Sequence, residues 1–235
     1  MSTNTVRHFM PLDLAAVQLI CYDTALRGAT LRGVFDDVRL VADAILLYHI
    51  KVEPDSFLVA GAETRVSGYI AGCVDTRRFD RLYRRRVLPS LVLRIATQGH
   101  WAHRICRRLL YDSMAYGRVL HAQRQRFLEA YPAHLHINVA QSARGAGMGS
   151  SLLAAFTAHL ATHGVCGVHA VVQSPHGAAF FAEHGFTVLA HYQSPPLLHL
   201  PPADVRIMGL TCMDTHSKGK PELLDTALNG ATREL

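Results

Sequence analysis

Leu135-His136-Ile137-Asn138-Val139-Ala140-Gln141-Ser142-Ala143-Arg144-Gly145-Ala146-Gly147-Met148-Gly149-Ser150 decides how this chain folds. Its first five residues alternate apolar and polar side chains, the period of a half-buried strand. A short polar link follows, then three glycines, then an apolar pattern that predicts a helix to about Leu160, stopped by Gly164. Glycines let backbone N–H groups come close to an anion, and the unpaired donors at a helix N-terminus favour phosphate. The spacing is not that of a dinucleotide fingerprint, and no Lys-Ser or Lys-Thr follows to make a P-loop.

Downstream, Val168-His169-Ala170-Val171-Val172 predicts another strand. Ser174-Pro175 then opens a helix, with Ser as N-cap and Pro in the first turn, and Gly185 is placed to end it. Phe186–Leu189 and Val205–Met208 predict closing strands on either side of a Pro-rich loop at 195–202. A loose tail is expected from Asp214.

Upstream, Val6–Phe9 predicts a short strand. Asp13 is expected to cap a helix carrying Leu14, Val17, Leu19 and Ile20. A second helix over Asp37–Ile50 carries Val38, Val41, Ile45 and Tyr48 and ends at Pro54. Phe57–Ala60 and Tyr69–Gly72 flank Glu63-Thr64-Arg65 as a hairpin.

Arg-Gly-x-Gly-x-Gly after a strand, then a strand, an Ala-Ala-Phe-Phe helix and His184-Gly185-Phe186, resembles the two consecutive cofactor motifs of the GNAT N-acetyltransferases. The likeness in element order covers roughly residues 6–192. Tyr131-Pro132-Ala133-His134-Leu135-His136-Ile137, Asp75-Thr76-x-x-Phe79 and Gly167-Val168-His169 further resemble the acetyltransferase-like domain of O-GlcNAcases. The resemblance implies an α/β fold with a mixed, twisted sheet of six or seven strands, splayed between the fourth and fifth, with acetyl-CoA in the cleft. It implies that the backbone of Asn138, Val139 and Ala140 pairs with the pantetheine arm. It also implies that Arg144, Gly145, Ala146, Gly147, Met148, Gly149 and Ser150 hold the pyrophosphate. Ser174 stands where many relatives have Asn, and Phe181 where many have Tyr.

The chain has 235 residues, 49% of them hydrophobic, enough for one sizeable core. One domain over 1–212 with an insertion at 76–130 is expected. No apolar run reaches the length of a membrane span, and the N-terminal residues lack a secretory signal, so a cytoplasmic location is the default. Cys21, Cys73, Cys106, Cys166 and Cys212 are scattered and read as reduced, buried thiols.

The net charge of +6 is uneven, because residues 76–130 carry 13 Arg against Asp80, Asp112 and Glu129, or +10, leaving about −4 elsewhere. Within this insertion a basic helix through Phe79, Leu82 and Tyr83 should break near Pro89. A second helix should bury Ala102, Ile105, Cys106, Leu109, Leu110 and Met114, with Arg104, Arg107 and Arg108 outside. Read as lacking aromatics interleaved for base stacking, the insertion suits a solvated or acid-facing lid better than nucleic acid.

Acetyl transfer to an amine needs that amine deprotonated, so a base is sought near the splayed strands. Asp75 ends the third strand, and His134, His136 and Asn138 share one face of the fourth. Either histidine also fits a hydrogen-bonded core role, and Asp75 fits a helix cap; a metal is not expected, since His134-x-His136 has no evident third ligand. The function expected is acetyl transfer to a small-molecule or peptide amine, with a second copy of the chain, as a homodimer, the one protein partner considered. The rivals are a pseudo-acetyltransferase binding module and a nucleic-acid-associated protein.

Overall fold

The computed structural model describes residues 5–25, 27–28, 30–62, 65–198 and 200–212. Seven strands form one sheet in the order β1-β2-β3-β4-β5-β7-β6. They are β1 (Thr5–His8), β2 (Phe57–Ala62), β3 (Arg65–Cys73), β4 (Ala133–Val139), β5 (Gly167–Val172), β6 (Thr187–Gln193) and β7 (Asp204–Thr211). Every pairing is antiparallel except β4–β5. This is the mixed α/β sheet expected. Glu63 and Thr64 of the expected hairpin turn, and the tail from Asp214, lie outside the described residues.

Two helices lie on one face of the sheet, α1 (Leu14–Thr24) and α2 (Val38–Val52). Val17, Leu46, Phe57, Val59 and Tyr69 make the core between them and the strands. The other face carries α6 (Met148–Thr162) and α7 (Pro175–Glu183) over Leu58, Ile70, Leu135, Val168 and Ala170. Strand alternation fixes this division, since successive residues of β4 point to opposite faces. Gly164, at φ 65°, ends α6 while Val165 N–H returns to Leu160 O (3.1 Å), a left-handed C-terminal stop.

Residues 76–130 are helical as expected, but the details differ. The first stretch does not break at Pro89: α3 (Thr76–Leu82) passes through a π-helical segment, Tyr83–Val87, into α4 (Leu88–Thr97), with Pro89 in its first turn. A π-turn widens the backbone where a proline lacks its N–H and crowds the preceding turn, so the chain bends through rather than stopping. In α5 (Arg104–Arg124) the buried residues are Cys106, Asp112 and Arg124, whereas Ile105 is 43% and Met114 48% exposed. The expected apolar stripe is therefore partly turned to solvent. A polar residue takes part of the buried face instead: Asp112 accepts from Arg108 Nε (2.9 Å) and from the backbone N–H of Leu198 (2.7 Å).

Two smaller expectations also fail. Asp13 does not cap α1 with its side chain; its carboxylate takes both Arg7 guanidinium nitrogens (2.7 Å each) and Met10 N–H (2.8 Å). That pairing holds its carboxyl below the usual range. Leu19 is 44% exposed, while Val17 and Ile20 are buried.

Gly72 of β3 faces α6, and a methyl group there would enter the ring of Phe156, which is fully buried, and press on the carbonyl of His134. Gly72→Ala is expected to lose about 1–3 kcal/mol of stability by overpacking. Phe156→Leu in the same chain should restore part of the loss. Urea unfolding midpoints check this, and an undiminished midpoint in the single variant would contradict the packing.

Candidate functional site

β4 pairs with β3 from Cys73↔His134 to Gly68↔Val139, but with β5 only at Ala133↔Val168, His134↔His169 and Leu135↔Ala170. Beyond Leu135 the two parallel strands part. The β5-facing edge of residues 136–139 is thus left without a strand partner, and this edge runs directly into the glycine-rich loop.

The loop is shaped by its neighbours. Ala140 N–H bonds Ser67 O (2.8 Å), and a short 3-10 turn, Gln141–Ala143, brings the chain round to Arg144. Gly145 (φ 80°) and Gly147 (φ 71°) adopt left-handed conformations with open space where a side chain would start. Met148 anchors the first turn of α6 in the core, 5% exposed. The first intrahelical bond is Ser151 N–H to Gly147 O (3.0 Å), so the N–H groups of Met148, Gly149 and Ser150 precede the helix's own pairing. Arg144 is exposed, with Nε 3.4 Å from Val139 O. Gly149 serves another need, because a side chain there would press on Phe180 of α7.

The remaining residues expected at the cofactor have structural partners. Ser150 Oγ lies 2.9 Å from Nε2 of His184, whose Nδ1 sits 2.7 Å from Phe180 O. With Nδ1–H donated to that carbonyl, Nε2 accepts from Ser150, tying α6 to α7. Ser174 Oγ accepts Gly177 N–H (3.1 Å) as the cap of α7. Phe181 is 6% exposed, its ring 4.8 Å from Phe186 within the core.

His134, His136 and Asn138 do share one face, with Tyr69 beside them. Asn138 Nδ2 donates to Tyr69 Oη (2.9 Å) and to His136 Nε2 (2.8 Å). His134 Nδ1 lies 2.9 Å from Thr76 Oγ1 and 3.1 Å from Cys73 Sγ, and its ring meets Phe79 edge-on. Burial drives both histidines down, His136 to about 4 and His134 further, the latter also by the nearby charge of Arg124. Both are therefore neutral at pH 7. Asp75 caps α3, accepting Arg78 N–H (3.0 Å).

Several residues in this region escaped sequence reasoning. His169 is inaccessible and donates through Nδ1 to Tyr131 O (3.0 Å), leaving Nε2 as a bare acceptor. Arg124, paired with Asp80, sends its charge toward His169, Tyr116 and Tyr192. Among the described residues no hydrogen-bond partner reaches Arg124 Nε, His169 Nε2 or Tyr192 Oη, all buried. Gln173 completes the group by donating to Tyr116 Oη (2.7 Å). The β4–β5 register could have flagged His169, since it sits directly across from His134. Arg124 and Tyr192 come from distant elements, and no local pattern joins them. No group of His, Cys, Asp or Glu among the described residues is placed to hold a metal ion. No helix among them is long and apolar enough to cross a membrane.

No known protein-family profile matches the sequence. Among solved structures the chain is similar to SsHAT, at 26% identity and TM-score 0.69, over 90% of this chain and 100% of that one. It is also similar to yncA, a putative acetyltransferase from Salmonella typhimurium with its cofactor acetyl-CoA (18% identity, TM-score 0.57, 94% and 99% covered). A third is a GNAT-superfamily phosphinothricin acetyltransferase from Sinorhizobium meliloti in complex with AcCoA (17% identity, TM-score 0.54, 96% and 97% covered). The chain has the GNAT fold.

The buried histidines tie stability to pH. His49, 2% exposed and 2.8 Å from Gly72 O, and His169, 0% exposed, are both pushed down to about 4 by burial. Unfolded, they titrate near ~6.5, so the stability they add is complete above that pH and drains away as pH falls toward 4. These two alone should cost about 2–3 kcal/mol per pH unit between roughly pH 6 and 4.5, and the likewise lowered His134 and His136 add to that loss. Urea unfolding at stepped pH checks this, and a stability curve level across that window would contradict it.

Proposed function

We propose that the chain binds acetyl-CoA in the β4–β5 cleft and transfers the acetyl group to a primary amine by direct attack in a ternary complex. One observation carries the reading: the unpaired edge of residues 136–139 leads, through the Gln141–Ala143 turn and the glycines, to N–H groups at the start of α6 that precede the helix's own pairing. An extended, amide-bearing arm fits the first, and a pyrophosphate fits the second. In this reading Asn138 and Val139 pair with the pantetheine, while Ala140, whose N–H is held by Ser67 O and whose carbonyl accepts Ala143 N–H, turns the chain into the loop rather than pairing with the arm. The backbone of Gly145 to Ser150 takes the pyrophosphate, with Arg144 adding charge. Ser174 and Phe181 line the cleft's far wall through α7 rather than by donating hydrogen bonds, since one is a cap and the other core.

Bound acetyl-CoA supplies an activated thioester carbonyl. The chain's part is to hold that carbonyl in reach of the amine, and to take the proton the nitrogen loses as its bond to carbon forms and the carbon–sulfur bond breaks. Asp75, His134 and His136 are assigned to proton handling, directly or through water. Burial leaves both histidines neutral, able to accept a hydrogen bond but weak as bases, so water carries the proton onward. With a phenyl ring at 181, no acid is assigned to the departing sulfur. A thiol titrating near ~8.5 leaves tolerably as thiolate, so the lack of an acid slows transfer by about 10²–10⁴-fold at most.

We take 1–212 as one unit in which the 76–130 insertion roofs the acceptor side, related to the acetyltransferase-like domain of O-GlcNAcases. Phe181 also favours a second reading, a binding module that keeps acetyl-CoA and transfers nothing. CoA-thiol release across a panel of amines separates the two.

Acetyl-CoA is expected to raise the thermal midpoint of the wild-type chain, and Gly147→Glu to abolish that rise by placing a carboxylate where the phosphate sits. Gly147→Gln carries the same left-handed strain without the charge and should retain part of it. An unchanged wild-type midpoint at saturating acetyl-CoA would sink the reading.

A further inference from the structure

The segment joining α1 to α2, the loop joining β6 to β7, and α5 meet on the side of the sheet that carries His134 and His136. Arg27 Nη1 donates to Pro201 O (2.7 Å), and Tyr22 and Leu31 pack with Leu197 and Leu200, so the two connections are joined. The buried carboxylate of Asp112 ties α5 to the second of them through Leu198 N–H. Between the three lies a groove of about 600 Å³. Apolar Val34, Ile105, Tyr111 and Leu198 line it together with Arg104, Arg107 and Arg108.

Three features set this groove apart. Ile105 is 43% and Tyr111 67% exposed, so large apolar side chains line a concavity instead of a core. The charge is unbalanced: Arg108 has Asp112, but Arg107 donates to the neutral carbonyls of Trp101 (2.6 Å) and Ala102 (3.2 Å). Arg104 pairs with no carboxylate among the described residues. Finally, Leu198 is held at φ 55°, a conformation disfavoured for a branched side chain, by its bond to Asp112. The strain fixes Leu198 at the groove.

We propose that this groove docks an acidic peptide segment whose aliphatic or aromatic side chains pack on its apolar lining while flanking Asp or Glu side chains meet Arg104 and Arg107. Charge complementarity selects an anionic partner. The aliphatic concavity selects side chains over bases, because single-stranded nucleic acid needs a row of aromatic platforms and Tyr111 is the one aromatic among the described lining residues. Trp101, 54% exposed nearby, corrects the expectation that the insertion offers no aromatic surface, and makes nucleic acid an occupant to be tested. The docking does not depend on acetyl transfer.

Fluorescence anisotropy with a labelled peptide of about ten residues, alternating glutamate with leucine and phenylalanine, tests it. The peptide should bind the wild-type chain and weaken as salt rises. Arg104→Glu and Tyr111→Ala should each weaken it about tenfold. Neither should lower the thermal midpoint: Tyr111 is exposed, and Arg104 opens α5, where a carboxylate suits the helix dipole. Comparison ligands are a glutamate-only peptide, a lysine–leucine peptide and a single-stranded RNA oligonucleotide. Equal binding of the glutamate-only or lysine–leucine peptide, indifference of both variants, no binding at low salt, or tighter RNA binding lost in Arg104→Glu would each overturn the proposal.

Discussion

Everything at the site depends on β4 having two partners of unequal reach. β3 holds it along its length, so its direction and pleat are fixed to Val139. β5 holds it for three residues and then leaves. Backbone N–H and C=O groups are strong hydrogen-bonding groups, and a central strand rarely leaves them without partners inside a core. The parted edge is therefore open on one side, which is where we propose an extended ligand pairs, and it runs on toward the glycine-rich loop. Helix α6 closes the arrangement: Met148 and Leu152 fasten its start to the core, and its first N–H groups precede the helix's own pairing.

Much of this was legible because it is encoded locally. The strand before the glycines, the cap and proline at Ser174-Pro175, and the left-handed stops at Gly164 and Gly185 each follow from the backbone conformations that those residue types favour. The shared face of His134, His136 and Asn138 follows from pleat alone. What escaped reading is set by contacts between distant segments. Asp112 takes part of the buried face of α5 through a bond to Leu198, eighty-six positions away, so apolar spacing misjudged which face is buried. His169 gains meaning only once β5 is laid in register beside β4. Ser174 caps α7 as its sequence indicates, whereas the bond from the Ser150 hydroxyl to His184, joining α6 to α7, is a contact between separate helices that spacing does not show.

The insertion at 76–130 brings cation and aromatic side chains over the face that holds the histidines. Arg124 reaches in beside His169 and Tyr192 at the end of α5, while Arg104 and Tyr111 point out near its start. One helix thus contributes both to a buried polar cluster and to the wall of an open groove. Its charge, conspicuous in the composition, is divided between ion pairs such as Arg124–Asp80 and Arg94–Asp43 and uncompensated positions at the rim.

Backbone amide hydrogen exchange, with and without saturating acetyl-CoA, tests the central claim most directly because it reads the N–H groups themselves. The account predicts slowed exchange at Gly145 to Ser150 and along residues 137–139, with β6 and the outer turns of α2 unchanged. Binding without protection of those two segments, or protection confined to the basic insertion, would contradict it.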